Sequence, residues 1–275
     1  MNNTFNITRF GLLLKRQWLE FGKIFLIILA VALGVVVTFY GFATWNAFFA
    51  PEFSPDISRI LNFREPLFLI FGFLFNTVIA SSYFAHLGQK PKAVIDLMIP
   101  ASTFEKFLIG VLFTGFLATL SYLLIFYITD LAFVSKLRGL YTSVQEVPSY
   151  TDRDGETITK IDNLMYFFSK NIDDVFLPLY FTPLLISSLF LFGSIYFNRF
   201  HYIKTAISAM IFSGVWTAII IKSGQILFDN RVPIERTIRN YHSRNDAELW
   251  MSLLFICATL IFWGFTYLRL KEKEV

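Results

Sequence analysis

Charge and cysteine are both scarce in this chain. Charged residues fill 16% of its 275 positions and hydrophobic ones 55%, against a charged share of about 25% in ordinary soluble domains. A chain this short cannot bury that much apolar surface in a soluble core, which excludes the water-soluble globular classes. The single cysteine, Cys257, rules out an intrachain disulfide, so any loop outside a membrane must be held by other contacts. The three histidines, His86, His201 and His242, lie far apart with no paired metal spacing. There is no GxSxG and no HExxH, and Asp173-Asp174 lacks the further carboxylates that a two-metal site wants. A GxxxxGK loop is also missing, so ATP cannot be bound through a P-loop of this chain. The sequence thus reads as a non-enzyme, and an energy source would have to come from a separate subunit.

What the chain does have is six long apolar stretches: Ile24–Trp45, Pro66–Leu87, Lys106–Thr129, Phe176–Phe197, Thr205–Ile221 and Leu249–Leu270. At about 1.5 Å per residue, about 20 residues of helix cross a hydrocarbon layer about 30 Å thick. Barrel strands would be about 10 residues long with strict alternation, and backbone polar groups in lipid must be satisfied within the segment. The expected fold is therefore an all-α integral membrane protein with six transmembrane helices. The first stretch is followed by Trp45-Asn46-Ala47-Phe48, which offers no small-residue cleavage site, and is expected to stay as a span. The middle of every stretch lacks Asp, Glu, Lys and Arg, which argues against an ion-coupled carrier.

Six spans place both ends on one side. Arg9, Lys15, Arg16 and Lys23 precede the first span and Arg269, Lys271 and Lys273 follow the last, so the positive-inside tendency puts both termini in the cytoplasm. The plain count of Lys and Arg is 12 on each side, but the basic segment before span one carries most weight, and the acidic residues divide 5 inside to 15 outside. A sequence pI near 9.1 does not indicate nucleic acid, because the basic residues sit beside spans rather than in one patch; membrane lipid headgroups are their expected partners.

The gaps organise the rest. Residues 1–23 precede the first span. Over 5–23, Ile7, Phe10, Leu14, Trp18 and Phe21 fall on one helical face while Arg9, Arg16, Glu20 and Lys23 fall on the other, the pattern of an amphipathic helix lying in the membrane plane. Spans one to three occupy 24–129, with a turn at 88–105 expected on the cytoplasmic side. In that turn, Pro91 suits the start of a short helix over Ala93–Ile99 and Pro100 ends it. Ser102-Thr103-Phe104-Glu105 then has capping-box spacing for the third span. The 130–175 segment is the largest soluble piece, with a hairpin expected around Asp154-Gly155; Asp152-Arg153-Asp154-Gly155 resembles part of a calcium loop, but Ile161 stands where the closing Glu belongs. Residues 176–275 carry spans four to six and the tail. Between spans five and six, Pro233–Tyr241 is expected to form a short interfacial helix, in an Arg-rich stretch bearing Arg231, Arg236, Arg239 and Arg244.

Within the spans, Ala30 to Gly34 and Ala209 to Ser213 have small-xxx-small spacing, and Gly110, Gly115, Gly193 and Gly214 mark further places for close helix approach. Pro183 is expected to kink span four. Asn76, Thr77, Ser81, Ser187, Ser188 and Ser213 are candidates to line a pathway, against the commoner role of bonding to their own or a neighbouring helix.

The layout resembles the permease subunit of type-2 ABC exporters. The stretch Asp96-Leu97-Met98-Ile99-Pro100-Ala101-Ser102-Thr103-Phe104-Glu105-Lys106 is similar to the leucine-rich LPxS segment that such permeases carry between spans two and three, in its Bacteroidetes-like form. Thr103 stands where the family often has a basic residue, the family's re-entrant outer segment would have to be Gln225–Asn245, and the 130–175 loop is larger than expected there. The resemblance implies an exporter in a bacterial inner membrane, paired as a homodimer or heterodimer of permeases. Separate ATP-binding cassette subunits would hold ATP and magnesium, with no cofactor in this chain. It further implies that Lys90, Lys92, Val94, Leu97 and Met98 contact the ATPase, with Pro100, Ser102 and Glu105 setting the turn's angle. The rival reading is a non-transporting membrane scaffold or sensor that binds a partner through its outer loop.

Overall fold

A computed structural model describes residues 5–49, 61–88, 94–96, 98–144, 149–151, 157–159, 164–169, 177–228 and 241–274. Lys90, Pro91, Lys92, Leu97, the Asp152–Gly155 turn, Asp173-Asp174 and the interfacial helix expected over Pro233–Tyr241 (save Tyr241 itself) fall outside them. Among these residues, seven α-helical segments of nine residues or more follow in order: α1 (Ile7–Phe49), α2 (Arg64–Tyr83), α3 (Thr103–Val111), α4 (Ala118–Val144), α5 (Pro178–Tyr196), α6 (His201–Phe228) and α7 (Tyr241–Glu274). A π-helical turn at Leu112–Leu117 joins α3 to α4. Six of the resulting helices are long and apolar enough to cross a membrane.

The helices outrun the apolar stretches that predicted them. At about 1.5 Å per residue, the 43 residues of α1 extend about 65 Å. Residues 7–23 run into the first span as one unbroken helix. The third span likewise continues through Asp130 to Val144, so the segment expected to begin the soluble loop is helical. Its apolar residues Val134 and Leu137 are buried one turn apart, which sustains the helix beyond the point where the charge of Asp130 suggested an end. Pro183 lies within α5, which runs as one helix from Pro178 to Tyr196.

Contacts divide the chain into two compact units: Met1–Arg16, Thr77–Phe116 and Phe176–Val275 form the first, and Gln17–Asn76 with Leu117–Val175 the second. In the first unit α5 packs against both α6 and α7. A Cβ on Gly193 of α5 would lie 2.0 Å from Thr205 Oγ1 of α6, so only glycine permits that crossing. Gly110 of α3 is similarly tight, 2.9 Å from a ring carbon of Phe84. Among the described residues, a Cβ on Gly214 would meet nothing within 4 Å, and neither would one on Gly34 in the second unit. The smooth patches seen in the sequence thus divide into some used within the chain and some left open.

Hydroxyl side chains inside the helices mostly turn back on their own backbone. Thr44, Thr129, Thr205 and Thr266 donate to the carbonyls of Tyr40, Ile125, His201 and Phe262, each four residues earlier. In the π turn, Thr114 donates to the Gly110 carbonyl at 2.8 Å, supplying a donor where the wider turn shifts the regular α-helical bonding.

The second unit is built around aromatic rings. Phe68, Phe126, Phe167 and Phe168 form a mutually contacting group with centroid separations of 4.9–6.2 Å. Two short strands, β1 (Ser149–Thr151) and β2 (Thr157–Thr159), pair antiparallel with Tyr150 opposite Ile158.

Candidate functional site

The first turn of α3 concentrates the charge chemistry of the first unit. Ser102 caps it: its backbone is extended, its Oγ accepts from the Glu105 amide at 3.3 Å, and its own amide donates to Glu105 Oε2 at 3.0 Å. The capping box expected from the spacing is therefore present.

Glu105 does more than close that box. Its carboxylate is wholly buried, accepting at Oε1 from the Asn6 amide at 2.9 Å and from Arg9 Nη2 at 2.7 Å, and at Oε2 from Arg9 Nε at 2.7 Å. This is the two-pronged geometry that guanidinium and carboxylate favour. Four donors around one buried carboxylate meet the condition under which a buried charge is tolerated. Asn6 in turn begins α1, its Oδ1 accepting from the Thr8 amide at 2.9 Å.

Lys106, the next residue, faces a different element. Its ammonium is buried and donates to the Asp96 carbonyl at 2.9 Å, with the Asp96 carboxylate 3.9 Å away. Asp96 lies in a described helical stretch, Val94–Asp96, and its carbonyl also accepts from the Ile99 amide at 3.3 Å. A cation on a helical carbonyl in this position is electrostatically favourable. Around it the chain presents apolar side chains outward: Val94 is 55% exposed, Ile95 60% and Met98 78%. Pro100 is exposed and Ala101 bonds back to Ile99.

Aromatic rings flank the clasp. Phe5 stands 6.4 Å from Phe104, and Phe104 stands 6.3 Å from Tyr267 of α7, which also meets Phe107 at 5.7 Å.

Asn76, Thr77, Ser81, Ser187 and Ser188 are all buried. Ser187 and Ser188 donate to the carbonyls of Leu184 and Leu185, and Thr77 lies 3.4 Å from the Tyr202 hydroxyl. Among the described residues, Asn76 Oδ1 and Ser81 Oγ are buried without a hydrogen-bond partner. Ser213 is exposed and bonded to Met210 O.

Two sets of polar contacts escaped the sequence reading. The first is Arg9 on Glu105: helical periodicity placed Arg9 on a solvated face, and it instead pairs across the fold. On the same helix, Leu13 is buried whereas Ile7, assigned to the apolar face, is 77% exposed. The second set lies in the second unit. Asp130, buried in α4, accepts at Oδ1 from the Tyr40 hydroxyl at 2.8 Å and from Arg64 Nη1 at 3.0 Å, and at Oδ2 from the Phe167 amide at 2.7 Å. Arg64 also donates to the carbonyls of Leu61 and Met165, and Arg138 to that of Leu164 while lying over the Tyr166 ring. Residues 164–167 are thereby strapped to the start of α2 and to Asp130 and Arg138 of α4. The one available signal was the pairing of a lone Asp with a lone Arg at the edges of apolar runs.

The helices define a class, the multi-pass membrane proteins. Beyond that class, comparison with protein-family models, curated proteins and solved structures returned no match.

Proposed function

We infer that the chain is the membrane permease subunit of an ABC-type exporter, driven by a separate ATPase subunit that supplies ATP and magnesium. The observation carrying this reading is the segment between the second and third spans. It is a short helical turn with exposed Val94, Ile95 and Met98, held by Lys106 and followed by the capped start of a span. Three apolar side chains held outward on a braced turn are suited to a groove on a soluble partner. The resemblance of Asp96 to Lys106 to the exporter segment supports the same assignment, with Lys90, Lys92 and Leu97 completing the contact and both termini cytoplasmic. Residues 7–23, continuous with the first span in α1, would then extend that span on the cytoplasmic side. The exposed apolar faces of α1 and α6, with Gly34 and Gly214 uncrowded, are available for lipid or for a second permease.

The test is co-expression with neighbouring genes and purification in mild detergent. The expected result is recovery of a Walker-type ATPase, lost in Val94→Asp/Met98→Asp while membrane insertion is retained. Co-purification unchanged by that double variant removes the turn from the contact. If no ATPase is recovered in any preparation and the outer loop captures a partner, the scaffold or sensor reading replaces the permease.

A further inference from the structure

We propose that Glu105 and Lys106 form a two-sided clasp that makes the N-terminal segment a mechanical strut, so that displacement of the turn at Val94–Asp96 is passed to α1 as well as to the third span. The inference rests on the permease reading for the source of the load, but the clasp itself stands on geometry alone.

Two consecutive residues at the start of one helix hold two different elements. Glu105 grips residues 6–9 through the Asn6 amide and the Nε–Nη2 edge of the Arg9 guanidinium, and Lys106 grips the Asp96 carbonyl. Both side chains are buried, and each sits in the first turn of α3, where the capping box already fixes the backbone. Side chains so constrained cannot slip independently: moving the turn by way of Lys106 moves the helix that carries Glu105, and Glu105 carries Asn6 and Arg9 with it. A capping glutamate needs only its bond to the cap residue's amide. The additional bonds to a segment 96 to 99 residues away do nothing for the cap. They fasten α1. The Phe5–Phe104–Tyr267 row runs beside the same contact and adds a van der Waals brace.

Glu105 and Arg9 are therefore positioning residues, and their role is separable from capping. In the full-length protein in nanodiscs, amide hydrogen exchange would be followed over residues 5–10, 98–101 and 102–106. Glu105→Gln is expected to speed exchange in both 5–10 and 102–106 by about tenfold, the scale of one lost hydrogen bond to a charged acceptor. Ser102→Ala, which removes the cap acceptor and leaves the carboxylate, is expected to speed 102–106 only. Arg9→Ala, which leaves the buried carboxylate without its counter-charge, should speed 5–10 and 102–106 together, and Lys106→Met 98–101. Exchange over 5–10 that stays at the wild-type rate in Glu105→Gln overturns the strut, as does an equal effect of Ser102→Ala on both segments. A second arm uses the ATPase complex. ATP is expected to alter exchange in both the turn and 5–10 of the wild type, but in the turn alone for Glu105→Gln. A response confined to the turn in both proteins refutes transmission to α1. If no ATPase co-purifies, the permease reading fails while the first arm still decides the clasp.

Discussion

Removing the carboxylate of Asp130 gives the sharpest stability test of the second unit. Asp130→Ala leaves the Arg64 guanidinium, whose side chain is only 12% exposed, without its counter-charge, and orphans the Tyr40 hydroxyl and the Phe167 amide. Breaking a buried ion pair by deleting one partner costs about 3–5 kcal/mol, because the remaining charge stays desolvated. Each donor left without an acceptor adds about 1–3 kcal/mol when it stays dry. Arg64 keeps the carbonyls of Leu61 and Met165, and water entering the space of the lost side chain would serve the orphaned donors. The net loss is therefore set at about 3–5 kcal/mol rather than at the sum. The double variant Arg64→Met/Asp130→Leu removes both charges and is expected to recover more than half of that loss, since well-packed apolar replacements of a buried pair are often neutral. Unfolding in mixed micelles, followed by tryptophan fluorescence, measures the global term, and amide exchange at Phe167 measures the strap directly. A loss below about 1 kcal/mol for Asp130→Ala, the level of a surface ion pair, would refute the reasoning. So would a double variant less stable than the single one.

The remaining predictions concern packing and topology. Gly193→Ala places a methyl 2.0 Å from Thr205 Oγ1 and is expected to destabilise by about 1–3 kcal/mol, the usual cost of overpacking, with partial rescue by Thr205→Ala; thermal unfolding in detergent reads both. Gly214→Ala meets nothing within 4 Å and should leave that melting temperature unchanged, whereas a weakened dimer in chemical crosslinking would place this face at a permease–permease contact. With Cys257 replaced by Ser, a cysteine at Lys271 should react with a membrane-impermeant maleimide only in inverted vesicles, and one at Thr159 only in intact cells. Labelling of both from the same side would overturn the assigned topology.

The number and order of the membrane-crossing helices were legible in the sequence because the bilayer imposes a length and lipid forbids unsatisfied backbone, so composition over about 20 residues is enough. The capping box was legible for a similar reason: it needs only four consecutive residues, Ser102 to Glu105. Helix ends were less so. Asp130 suggested where the third span stops, but the charge is neutralised by Arg64 from 66 positions away, and the helix continues to Val144. Gly193 and Gly214 look alike in the sequence, yet one sits against Thr205 and the other against nothing, because a missing side chain says where a helix can approach and not whether one does. The identity of Glu105 told its local role, whereas its hold on Asn6 and Arg9, 99 and 96 residues away, was decided by the tertiary structure alone. Local spacing reaches across one turn of helix; a buried charge takes its partner from whichever element the packing brings to it.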